Sequence, residues 1–111
     1  MSIREVESSI LDLRLEDDML ETPGMCRYAA ERMLYVANES NLEEPRANIE
    51  ILVWRKASST EKDIHYALKA SSPDGKIIFN PNPSPLFPQY VGPVEKAPGY
   101  IPQMTVTKEI L

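Results

Sequence analysis

The sequence predicts an α+β fold, one helix packed on a small antiparallel sheet with a proline-rich segment wrapped around it. Three observations carry this. Cys26, Ala29, Ala30, Met33 and Ala37 recur at i, i+3, i+4, i+7 and i+11, a stripe of small side chains that lets a helix lie close against a sheet. Residues 48–55 alternate as a strand, with Ile49, Ile51 and Val53 on one face and Leu52 and Trp54 on the other. Residues 63–70 and 75–80 read as two further strands around Ser71-Ser72-Pro73-Asp74-Gly75, a turn sequence.

In chain order, residues 3–13 are expected as a helix, since Ile3, Val6, Ile10 and Leu13 recur at helical spacing. The segment is ambiguous, because Leu11, Leu13 and Leu15 also alternate with Asp12, Arg14 and Glu16 as in a strand. Glu16-Asp17-Asp18 reads as a solvated acidic run. Thr22-Pro23-Gly24 announces a second helix over residues 24–38, with Thr22 or Gly24 as cap and Pro23 near the first turn. Arg27 and Glu31 fall on its solvent side as an i,i+4 pair. Residues 38–46 form a polar connection to the strand at 48–55, which is apolar on both faces at its end and therefore central or covered by the helix. A loop at 57–62 leads to the strand at 63–70. From Pro81 to residue 103 prolines interrupt every regular element, while Leu86, Phe87, Tyr90, Val91, Tyr100 and Ile101 supply apolar anchors; this is read as an extended wrap, ending in a short edge strand at 104–107.

At 111 residues the chain is a single domain that hides roughly two thirds of its unfolded surface. Its 42% hydrophobic and 26% charged residues are ordinary globular composition. A net charge of -5 argues against nucleic acid or an anionic membrane as main partner, because those surfaces demand clustered Lys and Arg. A protein substrate or a protein partner remains. One cysteine and one histidine exclude an internal disulfide and a Cys/His zinc site within the monomer, and no Gly-rich phosphate loop or metal-spaced carboxylate cluster is present, so no cofactor or metal is expected. The N-terminus lacks the pattern of a signal peptide and no apolar run approaches the ~18 residues of a membrane span. The expectation is synthesis in the cytoplasm, with delivery by a signal-peptide-independent route left open.

Hairpin register decides which side chains meet. A three-residue loop, Pro73 to Gly75, sets Ser72 opposite Lys76 and turns His65 and Asn80 to opposite faces. A four-residue loop, Ser71 to Asp74, sets His65 directly opposite Asn80, within the roughly 5 Å of a cross-strand pair. Turn chemistry alone prefers the first. Burial favours the second, which gathers Ile64, Tyr66, Leu68, Ile77 and Phe79 on one face and Lys69, Lys76, His65 and Asn80 on the other.

A thiol in the first turn of a helix feels the helix's positive end and its unpaired amides, which favour the nucleophilic thiolate. Cys26 at a helix start, His65 on a strand and Asn80 at the close of the next strand could supply a nucleophile, a general base and acid, and the acceptor that fixes the imidazole tautomer. Amides at the helix start, including that of Cys26, would form half of an oxyanion hole. Each residue also has a plainer reading: free cysteine packs as a small hydrophobe, and Asn before Pro often only ends a strand.

These residues resemble the papain-like cysteine hydrolases in their compact bacterial forms, which include papain-fold toxin domains, peptidases and glutamine deamidases. The resemblance lies in Gly24-Met25-Cys26 with its Ala-rich helix, and in His65-Tyr66-Ala67-Leu68 followed by Asp74-Gly75-Lys76-Ile77-Ile78-Phe79-Asn80-Pro81. It covers residues 22–82, and each motif is short. It implies a papain-like core and a hydrolase, a deamidase or peptidase that could be a toxin or effector domain, that attacks an amide or ester carbonyl through a Cys26 thioester. The family often places a Gln before its nucleophile as an oxyanion donor; here stands Asp18-Met19-Leu20-Glu21-Thr22, leaving Thr22 and Met25 as oxyanion or supporting candidates. The alternative is a non-catalytic acidic protein-binding module, of the inhibitor or immunity type, that covers a basic partner.

Overall fold

The computed structural model describes residues 2–54, 65–83, 88–97 and 104–107. The expected strand residues 55, 63 and 64, the loop at 57–62, and the anchors Leu86, Phe87, Tyr100 and Ile101 lie outside the described residues.

Helix α1 spans Ser2–Glu16 and buries Ile3, Val6, Ile10 and Leu13. This resolves the helix-or-strand ambiguity. Leu11 and Leu15, which a strand would align with Leu13, are 43% and 85% exposed. The helix runs three residues past the expected end because no breaker intervenes, and it stops where Asp17 turns extended. Asp17 is not a merely solvated acid. Its carboxylate caps a 3-10 turn, Asp18–Glu21, by accepting from the Met19 amide at 3.0 Å, and it accepts the Tyr28 hydroxyl at 2.7 Å. The Tyr28 bond is the largest influence holding this carboxyl below its ordinary pKa.

Helix α2 spans Cys26–Ser40, starting and ending two residues later than expected. Met25 is the cap residue and offers no side-chain bond; Gly24, at φ +87°, supplies the left-handed turn that aims the chain into the helix. Four members of the expected stripe, Ala29, Ala30, Met33 and Ala37, are buried, while Cys26 at its head is half-buried. Arg27 and Glu31 pair at 3.3 Å on the solvent side, worth no more than about 0.5 kcal/mol.

Strands β1 (Asn48–Trp54), β2 (His65–Ser72), β3 (Gly75–Asn80), β4 (Tyr90–Pro93) and β5 (Met104–Thr107) form one antiparallel sheet in the order β4-β3-β2-β1-β5. The expected wrap therefore contributes an edge strand. β4 pairs with β3 and leads into a 3-10 turn, Val94–Lys96; its proline, Pro93, ends the strand, where no ladder donor is demanded.

The hairpin adopts neither expected register. Ser72 faces Gly75 across a two-residue loop, Pro73-Asp74, so Leu68 faces Phe79 and Ala70 faces Ile77. Pro73 fixes φ at the first loop position, the Asp74 amide donates to Ser72 Oγ at 3.2 Å, and Gly75 holds φ +154°. This register differs by two residues from the one that burial favoured. A shift of two preserves the faces, so the sorting of side chains stands while their partners change.

Both helices lie on one face of the sheet. Their apolar stripes pack with Leu20, Ile51, Val53, Leu68, Ala70 and Phe79, with Tyr66 and Ile77 at the margin. On the opposite face Leu52, Ala67 and Ile78 form a smaller cluster with Tyr90, Val94 and Ala97. Phe79 is fully buried in the larger core. Truncation by Phe79→Ala should cost about 3–5 kcal/mol, measured as a fall in urea midpoint at constant slope, while Tyr35→Ala on the 61% exposed outer side of α2 should change it by less than about 0.5 kcal/mol.

Candidate active site

His65 opens β2 and is 3% exposed; Asn80 closes β3 and is fully buried. Counting one step beyond Leu68 and Phe79 sets Asn80 level with Ala67, two residues along from His65 on the same face. The bond is therefore diagonal. His65 Nε2 lies 2.7 Å from Asn80 Oδ1. An amide oxygen only accepts, so Nε2 carries the hydrogen and, in the neutral ring, the lone pair sits on Nδ1. The amide's own orientation is fixed by its other end, which donates from Nδ2 to the Pro88 carbonyl at 3.2 Å. Burial holds the imidazole below its ordinary pKa, and the Asn80 bond partly opposes this.

Cys26, half-buried, begins α2. It stands at the same end of the sheet as His65, since the guanidinium of its neighbour Arg27 lies 5.9 Å from the ring centre of Tyr66. The structure joins His65 to Asn80 and does not join either to the thiol. Strand alternation turns Tyr66 toward the helices and His65 toward the other face, and among the described residues no hydrogen bond connects Cys26 with His65.

The expected oxyanion candidates are committed elsewhere. The Thr22 hydroxyl donates to the Asp18 carbonyl at 3.1 Å, and the Met25 amide donates to the Thr22 carbonyl at 3.1 Å. The Cys26 amide remains one of the first-turn donors that a helix leaves without an internal partner.

Two residues that sequence reasoning passed over tie this region together. Asn82, 1% exposed, donates from Nδ2 to the carbonyls of Leu20 at 3.0 Å and Thr22 at 2.7 Å. Gln89 donates from Nε2 to the Pro81 carbonyl at 2.5 Å and to Glu21 Oε1 at 3.0 Å. The signal was available in Asn80-Pro81-Asn82-Pro83, where a second Asn between prolines has no regular ladder to join. A cleft of about 360 Å³ runs between the start of α1 and the β2–β3 turn, lined by Ile3, Arg4, Glu7 and Lys76 among others, and shares no residue with the His65 pair. Among the described residues no three His, Cys, Asp or Glu side chains gather to hold a metal ion.

The pKa direction of His65 fixes a pH dependence. A base whose folded pKa lies below its unfolded value contributes stability that is full above the unfolded value of ~6.5 and lost as pH falls through the folded one. Between pH 7.5 and 5 the urea midpoint of the native chain should therefore fall more than that of His65→Gln; an equal fall in both would remove His65 as the cause.

Comparisons with protein-family models, with curated proteins and with solved structures find no match, so the chemistry available to this chain is read from its own geometry.

Proposed function

We propose that this protein is a small thiol hydrolase of the papain-like type, acting on an amide or ester carbonyl. The observation that carries the reading is the buried His65–Asn80 bond, which puts the ring hydrogen on Nε2 and so selects the tautomer whose basic nitrogen is Nδ1. Cys26 at the start of α2 is the nucleophile. In this reading the thiol gives its proton to Nδ1 and the sulfur attacks the carbonyl carbon. The tetrahedral oxyanion is met by the Cys26 amide at the positive end of α2. The imidazolium then returns the proton to the departing amine or alcohol, leaving a thioester that water hydrolyses by the same steps. Asn80 holds the ring in the tautomer this needs but, being neutral, adds no charge to stabilise the imidazolium.

The reaction requires thiol and imidazole to come into contact, which the alternation of β2 opposes. That alternation favours a second reading, in which the chain is a non-catalytic acidic module, net charge -5, that covers a basic protein partner, and His65 is a satisfied buried residue. The two readings differ in the behaviour of one thiol.

Alkylation of Cys26 by iodoacetamide measures it. If His65 serves Cys26, the native chain should react at pH 7 about tenfold faster than His65→Ala, with Asn80→Ala between them. Equal rates in native chain and His65→Ala at every pH would exclude the hydrolase and leave the binding module.

A further inference from the structure

We infer that Asn82 is a positioning residue that fixes the Cys26 end of α2 against the His65 end of β2; its catalytic consequence rests on the hydrolase reading above, while the mechanical one does not. A continuous path of bonds leads from the imidazole to the thiol. His65 Nε2 bonds Asn80 Oδ1 at 2.7 Å. Asn80 is separated from Asn82 only by Pro81, whose ring fixes φ and shortens the list of conformations the link can take. Asn82 Nδ2 then bonds the Thr22 carbonyl at 2.7 Å, and that same carbonyl accepts the Met25 amide at 3.1 Å, the residue that caps α2 immediately before Cys26. The second Asn82 bond, to the Leu20 carbonyl at 3.0 Å, holds the turn whose Leu20 side chain is fully buried in the helix-side core.

No other described side chain reaches from the strand-end segment to the backbone of Leu20 and Thr22 ahead of Cys26. Gln89 makes the neighbouring link, from the Pro81 carbonyl to the carboxylate of Glu21, but is exposed. Both Asn82 bonds cross some sixty residues of chain, whereas Pro23 and Gly24 make the approach to Cys26 locally irregular. Without Asn82 the loop at 20–25 keeps its internal bonds but loses the tie that sets its distance from β3.

Cys26 alkylation tests this at two pH values. At pH about 10, where an ordinary thiol is ionised, the rate reports access; the ratio of the rate at pH 6.5 to that at pH 10 reports the thiolate share. Asn82→Ala, and Asn82→Leu as the volume-keeping variant that drops the donors, should raise access several-fold and reduce the ratio, and the reduction should vanish when His65→Ala is already present. Ile10→Val, a core change in α1, controls for lost stability and should move neither. If access rises but His65→Ala leaves the native ratio unchanged, Asn82 positions the loop and the hydrolase reading fails. If Asn82→Ala and Asn82→Leu match Ile10→Val in both measurements, the inference is overturned whatever His65 does.

Discussion

The alternation of side chains along β2 constrains the rest of the molecule. β2 is paired on both edges, with β1 and with β3, so it cannot slide without breaking two ladders. A slip of one residue would drive Lys69 into the helix-side core and expel Leu68 and Ala70, both fully buried. Leu68 alone represents about 2 kcal/mol of apolar burial, so the register is held by packing rather than by turn preference. The position of His65 follows. Once Leu68 and Ala70 face the helices, Tyr66 must as well, and His65 is carried to the opposite face, where Asn80 arrives by the same alternation on β3.

The helical layer is held through small side chains against the sheet and through a few polar ties, most of them part-buried. Asn41, just past α2, accepts the Ala47 amide at 2.8 Å and the Ser2 hydroxyl at 2.6 Å, and donates to the Ala47 carbonyl at 2.7 Å. It thereby links the start of α1, the end of α2 and the approach to β1. Ser9 and Ser40 meet between the two helices. Asp17 gathers Met19, Tyr28 and Arg32 at the other end. Each tie is worth only about 1 kcal/mol net, so they set direction more than energy. Asn82 belongs to this set and differs in where it acts, on the loop that delivers Cys26.

Much of this was legible from pattern alone. The stripes of α1 and α2, the two apolar faces of β1 and the face-sorting of the hairpin all follow from burial, which speaks through many residues at once. What pattern missed was set by single contacts. The loop of the β2–β3 hairpin was misjudged because Ser72, Pro73, Asp74 and Gly75 suit several loop lengths. β4 was hidden because prolines argue against a strand, and only an edge position lets Pro93 end one. Asp17 looked like surface charge because its partner, Tyr28, lies beyond a turn that sequence spacing does not close. The His65–Asn80 contact was read from a register that does not occur; it forms because the true register shares the same parity.

The function turns on what a buried imidazole is for. Removing an imidazole and an amide from water is costly unless they satisfy one another, which the 2.7 Å bond does, and an apolar pair of the same shape could fill the space at little cost. A polar pair kept where an apolar one would serve is therefore explained either by a proton it must move or by a backbone group it must hold. Asn80 does hold one, the Pro88 carbonyl, and that accounts for the amide. In the proposed reaction the ring would serve as a base from its place in β2, at the end of the sheet where α2 brings its cysteine. The alternation that turns it away from the helices is the opposing fact. Position and orientation here point to different uses.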